Sequence, residues 1–451
     1  MNKTRRSAAA RAARALALAL PALLPGWAGA QQDTGADTLP DWDARFQSTY
    51  VWQRKPALRS PYAGEHSLHA ERERSHSFTA TAALGWRAWR GGELWLNPEV
   101  AAGVPLSELT GLGGFTNGEM ARSSGPNPRI YRARLFLRQT VDLGGEADSV
   151  EGGVNQLPLA TTRRRLSFMV GNYAVTDLFD ANAYSHDPRT QFLNWSLVTH
   201  GAWDFAADAR GYTWGAAVEA RDGAWALRAG RFAQPKEPNG QALDGRLGAH
   251  YGDQIELEHG HEWAGQPGAL RLLAFRNRAR MARYDDALAL ARAGGTVPDL
   301  AAARDGEQTK RGLGLALEQQ LHPDVGLFAR ASASDGATET YAFTEIDRSL
   351  SAGVLVRGTS WGRGQDRLGL ALAHNGLSAA HRDYLAAGGL GFFLGDGRLR
   401  YGTERVLEAF YNLQLAPQAT LGLDWQRIAN PGYNADRGPA RFVGLRLHLE
   451  L

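Results

Sequence analysis

The last ten residues of the chain read Phe442-Val443-Gly444-Leu445-Arg446-Leu447-His448-Leu449-Glu450-Leu451. In an extended strand the odd-numbered residues from 443 to 451 share one face, and every one of them is aliphatic. The even-numbered residues share the other face, which carries glycine, arginine, histidine and glutamate. A strand with one apolar face and one charged face predicts a barrel wall between lipid and water.

The first 30 residues have the pattern of an export signal. Basic residues at positions 3, 5, 6, 11 and 14 precede an apolar stretch from Ala15 to Leu24, and Ala28-Gly29-Ala30 forms a small-residue cleavage pattern. The apolar stretch is too short for a membrane-spanning helix. We therefore expect a cleaved signal peptide over residues 1–30 and a single mature domain over residues 31–451, exported through the periplasm.

Composition narrows the function classes. The first 30 residues hold five of the 50 basic residues and no acidic one, so 45 basic residues face 47 acidic ones in the mature chain. This balance argues against a nucleic-acid partner, which needs a basic surface. Cysteine is absent, so disulfides do not hold this exported chain together. A closed ring of strand hydrogen bonds would do so instead.

Hairpins with period-two alternation recur along the mature chain. One covers residues 78–97 around Gly91-Gly92, and another covers residues 212–229 around Asp222-Gly223. Two more, over residues 313–331 and 407–426, turn at residues 322–324 and at Pro417. A period of two predicts strands. Because one face of these strands is polar throughout, a barrel in a membrane fits better than a sandwich with two apolar inner faces.

The length of the chain bounds the size of the barrel. At about 25 residues per strand and loop, the mature chain holds roughly 16 to 18 strands, enough for an aqueous channel. We predict an all-β fold: a transmembrane antiparallel β-barrel of about 16 strands, with short periplasmic turns and longer extracellular loops, some folded into the lumen. The alanine-rich stretch from Asp285 to Asp305 predicts either a helix in or over the lumen or an irregular outer loop.

Several unusual stretches resemble one family. They are residues 50–56 (YVWQRKP), 109–117 (LTGLGGFTN), 179–195 (FDANAYSHDPRTQFLNW), 206–214 (AADARGYTW), 228–240 (RAGRFAQPKEPNG), 251–254 (YGDQ), 343–350 (FTEIDRSL), 381–397 (HRDYLAAGGLGFFLGDG) and 430–439 (NPGYNADRGP). Together, and in this order, they resemble the carbohydrate-selective outer-membrane porins of the OprB type. The resemblance covers nearly all of the mature chain.

The resemblance implies a 16-stranded barrel in the bacterial outer membrane, passive diffusion and a preference for sugars. It also implies outer-membrane lipid, lipopolysaccharide and the barrel assembly machinery as partners, in a monomer or a homotrimer. It implies neither an enzyme nor a cofactor or metal. One departure is Leu451, because such barrels usually end in an aromatic residue that the assembly machinery reads.

Charged residues on the lumen face are the candidates for contact with solutes. The strongest pattern lies in Tyr131 to Gln139, since a charge at the lipid midplane costs about 2–4 kcal/mol and fixes the register. We assign odd-numbered residues 131–137 to the lipid face, which places inward Arg132, Arg134, Phe136 and Arg138. The same test places inward Glu219, Arg228, Glu256, Glu258, Glu408 and Asn412. From Leu270 to Arg280 the parity of the arginines changes, which predicts a bulge or the exit of the strand into solvent.

These inward residues have two possible roles, which the sequence leaves open. Guanidinium forks, carboxylates and aromatic faces bind sugar hydroxyls and ring faces at a constriction. They also solvate a porin wall and pair with one another. An arginine ladder opposite carboxylates favours neutral polar solutes, whereas the arginines alone would suit an anion or organic-acid pore.

Three stretches of the sequence resemble motifs of other functional sites. Asp177, Asp180, His186 and Asp187 resemble a metal-ligand set, but a loop rich in Asn, Asp, Pro and His is more typical of turns. The group Ser196, Thr199, His200 and Asp204 suggests an outer-membrane hydrolase, yet its spacing fits no nucleophile motif. The glycines of Leu109 to Gly114 lack the helix and GK[ST] of a phosphate loop.

Overall fold

The computed structural model describes residues 39–120 and 125–451, so the predicted signal peptide lies outside the described residues. The strands are β1 (Trp42–Lys55), β2 (Glu73–Trp89), β3 (Gly92–Val104), β4 (Arg129–Val150), β5 (Leu159–Tyr173), β6 (Thr213–Asp222), β7 (Trp225–Ala233), β8 (Tyr251–Trp263), β9 (Gln266–Ala279), β10 (Gln308–His322), β11 (Val325–Ser334), β12 (Arg348–Gly358), β13 (Arg363–Gly376), β14 (Glu404–Ala416), β15 (Ala419–Ala429) and β16 (Ala440–Glu450). Among the described residues, three α-helices lie between strands: α1 (Trp195–Val198), α2 (Tyr284–Gly294) and α3 (Ala379–Ala386).

The strands form one closed antiparallel barrel in which each strand pairs with its neighbours in sequence and β1 pairs with β16. The predicted count of 16 is confirmed. Short turns join the strands at one end, and long segments join them at the other. The chain ends at the short-turn end, which is the periplasmic end of such a barrel. No helix of the described residues is long and apolar enough to cross a membrane.

The outer wall follows the predicted alternation. Outward leucines such as Leu313, Leu350 and Leu372 are more than half exposed, because lipid rather than protein covers them. Tryptophans lie near the strand ends, among them Trp86 and Trp225, with exposed fractions of 55% and 50%. These rings fit the interfacial girdles expected of an outer-membrane barrel.

The inner wall is built on aromatic rings that lie over glycines. Six directly opposed cross-strand pairs combine an inward ring with a glycine: Trp95 with Gly85, Phe136 with Gly171, Phe232 with Gly215, Phe275 with Gly312, Phe328 with Gly353, and Phe410 with Gly369. In five of the pairs the ring occupies the position of a glycine Cβ, whereas at Gly171 the Leu135 carbonyl oxygen and the Phe136 Cα and Cβ do so. A glycine here lets the ring lie flat against the neighbouring strand and keeps the lumen free.

The stretch from Asp285 to Asp305 contains a helix, as one of its two interpretations predicted. Helix α2 packs against α3 through Ala287 and Leu288, which belong to one buried cluster with Tyr384 and Leu385. The helix ends at Gly295, whose φ of 62° is left-handed. The two helices cover the long-loop end of the barrel.

The glycine–aromatic pairs predict a specific packing cost. In Gly369→Ala the new methyl group would collide with the Phe410 ring, which supplies all three of its nearest atoms. We expect a loss of about 1–3 kcal/mol of unfolding free energy, measured by urea titration of the barrel in detergent micelles. Gly364→Ala is the control, because its methyl group would meet only Thr359 Oγ1 at 3.6 Å. Equal stability of the two variants would contradict this account of the inner wall.

Candidate functional site

A long segment between β5 and β6, residues 174–212, folds into the barrel and is held there by charged side chains of the wall. Arg330 on β11 donates to the Asp180 carboxylate at 3.0 Å and to the carbonyl oxygens of Leu197 and Ser185 at 3.0 and 2.6 Å. Arg446 on β16 donates to the carbonyl oxygens of Pro188 and Gln191. We call residues 174–212 the inward segment.

Two of the predicted solute-contact residues anchor this segment. The Glu408 carboxylate accepts the backbone N–H groups of Leu193 and Asn194 at 2.5 and 2.9 Å. The amide of Asn412 donates to the Thr190 carbonyl at 2.6 Å. Both side chains face the lumen, but the inward segment occupies their hydrogen-bonding groups. Their position therefore supports the second of the two possible roles, in which lumen-facing side chains bind groups of the protein and not solutes.

A second predicted group forms an ionic network on the wall. Arg228 contacts Glu219, Glu256 and Glu258 at 2.6, 2.8 and 3.0 Å. Arg271 continues the network from Glu258 to Glu318, at 2.8 and 3.2 Å. Glu256 also accepts the N–H of Asp180. The four predicted residues meet one another across β6, β7 and β8, and their partners are protein groups.

Three of the remaining predicted residues, Arg134, Phe136 and Arg138, line a cavity of about 610 Å³ beside the inward segment. This volume lies within the ~300–1,000 Å³ typical of small-molecule sites. The charged lining residues are Arg134, Arg138, Arg189, Arg210, Glu99, Glu119, Asp177, Asp187 and Asp208. The aromatic lining residues are Tyr131, Phe136, Trp195, Phe205, Tyr212 and Phe343. We call this space the solute cavity.

A continuous polar chain crosses one side of the solute cavity. Arg134 donates two hydrogen bonds to the Asp177 carboxylate, from Nε and Nη2, each at 2.7 Å. Its guanidinium carbon lies 5.2 Å from the centroid of the Tyr212 ring. The Tyr212 hydroxyl donates to Glu99 at 3.3 Å, and Arg189 reaches the same carboxylate at 3.3 Å. Guanidinium and carboxylate groups that the protein already holds in place replace the water around sugar hydroxyls with little further loss of side-chain entropy.

Aromatic rings also line the cavity. Trp195 and Phe343 are stacked with ring centroids 5.3 Å apart and planes 11° apart, and Phe205 lies 4.6 Å from Phe343. Arg138 closes the edge, donating to the Asn155 carbonyl and to the Gln156 amide oxygen, with its guanidinium over Phe136. The lining of the cavity thus combines hydrogen-bonding groups with aromatic rings.

The prediction that Arg132 faces the lumen is wrong. A bulge shifts the register of β3 and β4, so that Asn97 opposes Arg134 while Pro98 opposes Arg132. The extra residue, Ala133, points inward and is fully buried. Arg132 is exposed and lies 5.2 Å over Trp214 on the outer wall. Pro98 lacks the N–H that a regular ladder requires, which explains the bulge.

The same bulge corrects two neighbouring assignments. Tyr131 and Ala133 were assigned to the lipid face, but both pack inward against Tyr212.

In β9 the alternation needs no bulge: Arg271 faces inward, and the other arginines of the segment lie on the outer face. Arg276 pairs there with Asp253 at 2.7 Å. The strand's exit from the lipid zone, one of the two predicted explanations, is the correct one.

The stretches that resemble a metal site and a phosphate loop have structural roles. Asp177 pairs with Arg134, and Asp180 with Arg330, so the acidic residues of the loop do not converge. In the part of the chain that the structure describes, no group of three His, Cys, Asp or Glu side chains could hold a metal ion. The Gly113 and Gly114 N–H groups bind the Glu404 carboxylate, which leaves no phosphate site.

The sequence interpretation missed several residues of the solute cavity. Arg189 and Asp177 lie in the inward segment, and Glu99 lies on β3. Arg189 belongs to the quoted stretch from Phe179 to Trp195, so the resemblance contained a signal for it. Glu99 follows Pro98 on a strand with regular polar alternation. Only the fold shows that these residues meet Arg134 and Tyr212.

Comparison with known proteins identifies the family. The model of the carbohydrate-selective porin OprB family matches residues 78–451. The chain belongs to this family. It is therefore a porin of the bacterial outer membrane, as the resemblance implied. A search of curated protein sequences found no match.

The superposition on one solved structure supports the fold. A high-pH structure of Pseudomonas putida OprB superimposes with a TM-score of 0.67 at 17% identity, covering 91% of this chain and 94% of that one. The Pseudomonas aeruginosa channel OccK2 (OpdF) gives 0.45 at 10% identity over 92% and 98% of the two chains. The Acinetobacter baumannii channel DcaP gives 0.48 at 9% identity over 91% and 97%. The family assignment itself rests on the family model.

The anchoring of the inward segment is testable at Arg330. Arg330→Ala leaves the buried Asp180 carboxylate without its guanidinium, a defect that typically costs about 3–5 kcal/mol. We expect the inward segment to detach, which gives larger and noisier single-channel currents in planar bilayers. Arg311→Ala, an exposed outward site on β10, is the control. Unchanged current levels in Arg330→Ala would show that the segment is held by other contacts.

A buried histidine at the long-loop end predicts a pH dependence. Burial opposes protonation of His381, but Asp347 at 3.0 Å and Glu345 at 3.5 Å outweigh it and raise the pKa to about 9. The charged ring lies in α3 and stacks on Tyr284 of α2 at 4.3 Å.

Because the folded pKa lies above the ordinary 6.5, the charged ring stabilises the fold fully below pH 6.5. This stabilisation, roughly 3 kcal/mol, is lost as the pH rises through 9. We expect the unfolding free energy in detergent to fall between pH 7 and pH 10, by less in His381→Gln. Identical pH profiles for the two proteins would refute this role of His381.

Proposed function

We propose that this porin conducts small neutral carbohydrates by passive, non-enzymatic diffusion, and that the solute cavity is its selective passage. The observation that carries the proposal is that an ordered polar chain from Arg134 to Glu99 and the aromatic rings of Phe343 and Trp195 line the same cavity. A pyranose has hydroxyls at its rim and apolar C–H faces, so it fits both surfaces.

The charge balance of the cavity argues for neutral solutes. Four arginines and five carboxylates line it, and most of them are paired. A pore for anions or organic acids would need an excess of unpaired cations. The paired arginines of the cavity therefore favour a pore for neutral solutes over a pore for anions or organic acids.

The outer-membrane hydrolase alternative is also disfavoured. The Ser196 hydroxyl donates to Asn194 at 2.7 Å, and Thr199 donates to Asp180. Burial lowers the pKa of His200 to about 4 despite the neighbouring Asp180, so the ring is neutral at pH 7. Neither hydroxyl is hydrogen-bonded to this ring, so no activated nucleophile forms.

Single-channel recording with glucose or maltose titrated into both chambers tests the proposal. Sugar entering the cavity should block the ion current reversibly, and Phe343→Ala should weaken the block roughly fivefold, the effect of losing about 1 kcal/mol of ring contact. Arg134→Gln should weaken it as well and shift the reversal potential toward cations, since Asp177 then lacks its partner. Exposed sites supply the controls, Phe392→Ala and Arg163→Gln.

The outcomes separate the alternatives. If wild-type current is insensitive to sugar and liposome swelling shows no sugar entry, carbohydrate selectivity is wrong. If the wild type shows strong anion preference in a salt gradient, the anion pore is correct. If sugar blocks the current but both variants behave like the wild type, the passage lies elsewhere in the barrel.

A further inference from the structure

The outer wall carries a continuous band of cationic side chains at its extracellular end. Seven consecutive strands, from β12 through β16 to β1 and β2, each present one such outward, exposed residue there. The members are Arg348, His374, Arg405, Arg427, Arg441, Arg54 and Arg74. We call them the arginine band. Below them on the same strands, the outward residues are predominantly apolar.

The band contains arrangements that are unfavourable in the barrel alone. Arg427 lies directly opposite Arg441 on the neighbouring strand, and Arg54 lies directly opposite Arg74. Directly opposed like charges on one face of a sheet destabilise it. Over residues 39–120 and 125–451, no ion pair neutralises any member of the band.

The other side of the barrel provides a contrast. On β7, β8 and β9, Arg231 and Arg276 both pair with Asp253 at 2.7 Å, and Arg278 pairs with Glu307. There the outward arginines have carboxylate partners within the chain. The extracellular halves of the strands that carry the band present no outward carboxylate. The anions that neutralise the band must therefore come from outside the protein.

The apolar surface next to the Arg348–His374 end of the band indicates the kind of anion. A groove of about 1160 Å³ runs along the outer wall, lined by leucines that include Leu313, Leu315 and Leu350. Small side chains of β11 also line it: Ala331 lies between Leu315 and Leu350, and Ala333 lies between Leu313 and Arg348. Arg348 and His374 line it together with Arg382. An occupant would need acyl chains for the groove and anionic groups for the cations above it.

We propose that the arginine band binds the phosphate groups of a phosphorylated outer-leaflet lipid of the lipid A class, with its acyl chains along the apolar wall and groove below. Forked guanidinium groups match phosphate oxygens and form charge-assisted hydrogen bonds with them. Binding relieves the repulsion in the Arg427–Arg441 and Arg54–Arg74 pairs. It is independent of the solute passage, because all these residues lie on the outer wall.

Binding of lipid A to the full mature protein in non-ionic detergent tests the proposal. Bisphosphorylated lipid A, its dephosphorylated form, phosphatidylethanolamine and inorganic phosphate are titrated separately, and thermal unfolding and native mass spectrometry report binding. We expect only bisphosphorylated lipid A to bind and raise the unfolding temperature, with an effect that falls as salt rises. Replacing Arg54, Arg74, Arg427 and Arg441 with glutamine should weaken its binding roughly tenfold or more.

A matched double variant, Arg231→Gln with Arg276→Gln, removes outward arginines that already have a partner and should retain binding. Without lipid, the fourfold variant should be at least as stable as the wild type, since like-charge pairs are removed. The proposal is overturned if dephosphorylated lipid A binds equally well, if inorganic phosphate alone reproduces the stabilisation, if both variants lose binding equally, or if the fourfold variant is less stable without lipid.

Discussion

Buried backbone groups need hydrogen-bond partners, and in this porin the charged side chains of the wall supply them. The inward segment crosses the lumen without a sheet of its own, so most of its N–H and C=O groups cannot pair with neighbouring strands. Glu408, Arg446 and Arg330 reach from the wall and bind them. The position of the segment, and thus the shape of the passage, depends on these bonds.

Because of these bonds, a charged side chain that faces the lumen is not necessarily available to bind a solute. A carboxylate such as Glu404, which holds the N–H groups of Gly113 and Gly432, has no free acceptor to offer a solute. The ionic network around Arg228 is likewise satisfied within the wall. The groups that border the solute cavity are instead those of the chain from Asp177 through Arg134 and Tyr212 to Glu99. The aromatic faces complete this surface because the glycines beneath the wall rings leave room for the inward segment.

Charge is handled differently on the two surfaces of the barrel. Inside, arginines and carboxylates are interleaved across neighbouring strands, so that the field in the passage is nearly balanced. Outside, the arginine band lacks such partners on one half of the circumference. We propose that the same residue type thus serves a neutral-solute passage on one face and an anionic lipid contact on the other. The distinction follows from whether a carboxylate occupies the facing strand.

The sequence by itself determined the barrel and most lumen-facing positions, since lipid and water contacts alternate along each strand. Its length bounded the strand number at roughly 16 to 18. It failed at Arg132, because one bulge beside Pro98 reverses the parity and no local pattern marks it unambiguously. It identified Glu408 and Asn412 as inward but not as anchors. Only the tertiary structure brings Glu99, Asp177 and Arg189 to one cavity, because these residues are far apart in the chain and meet through the folding of a loop whose partners lie on distant strands.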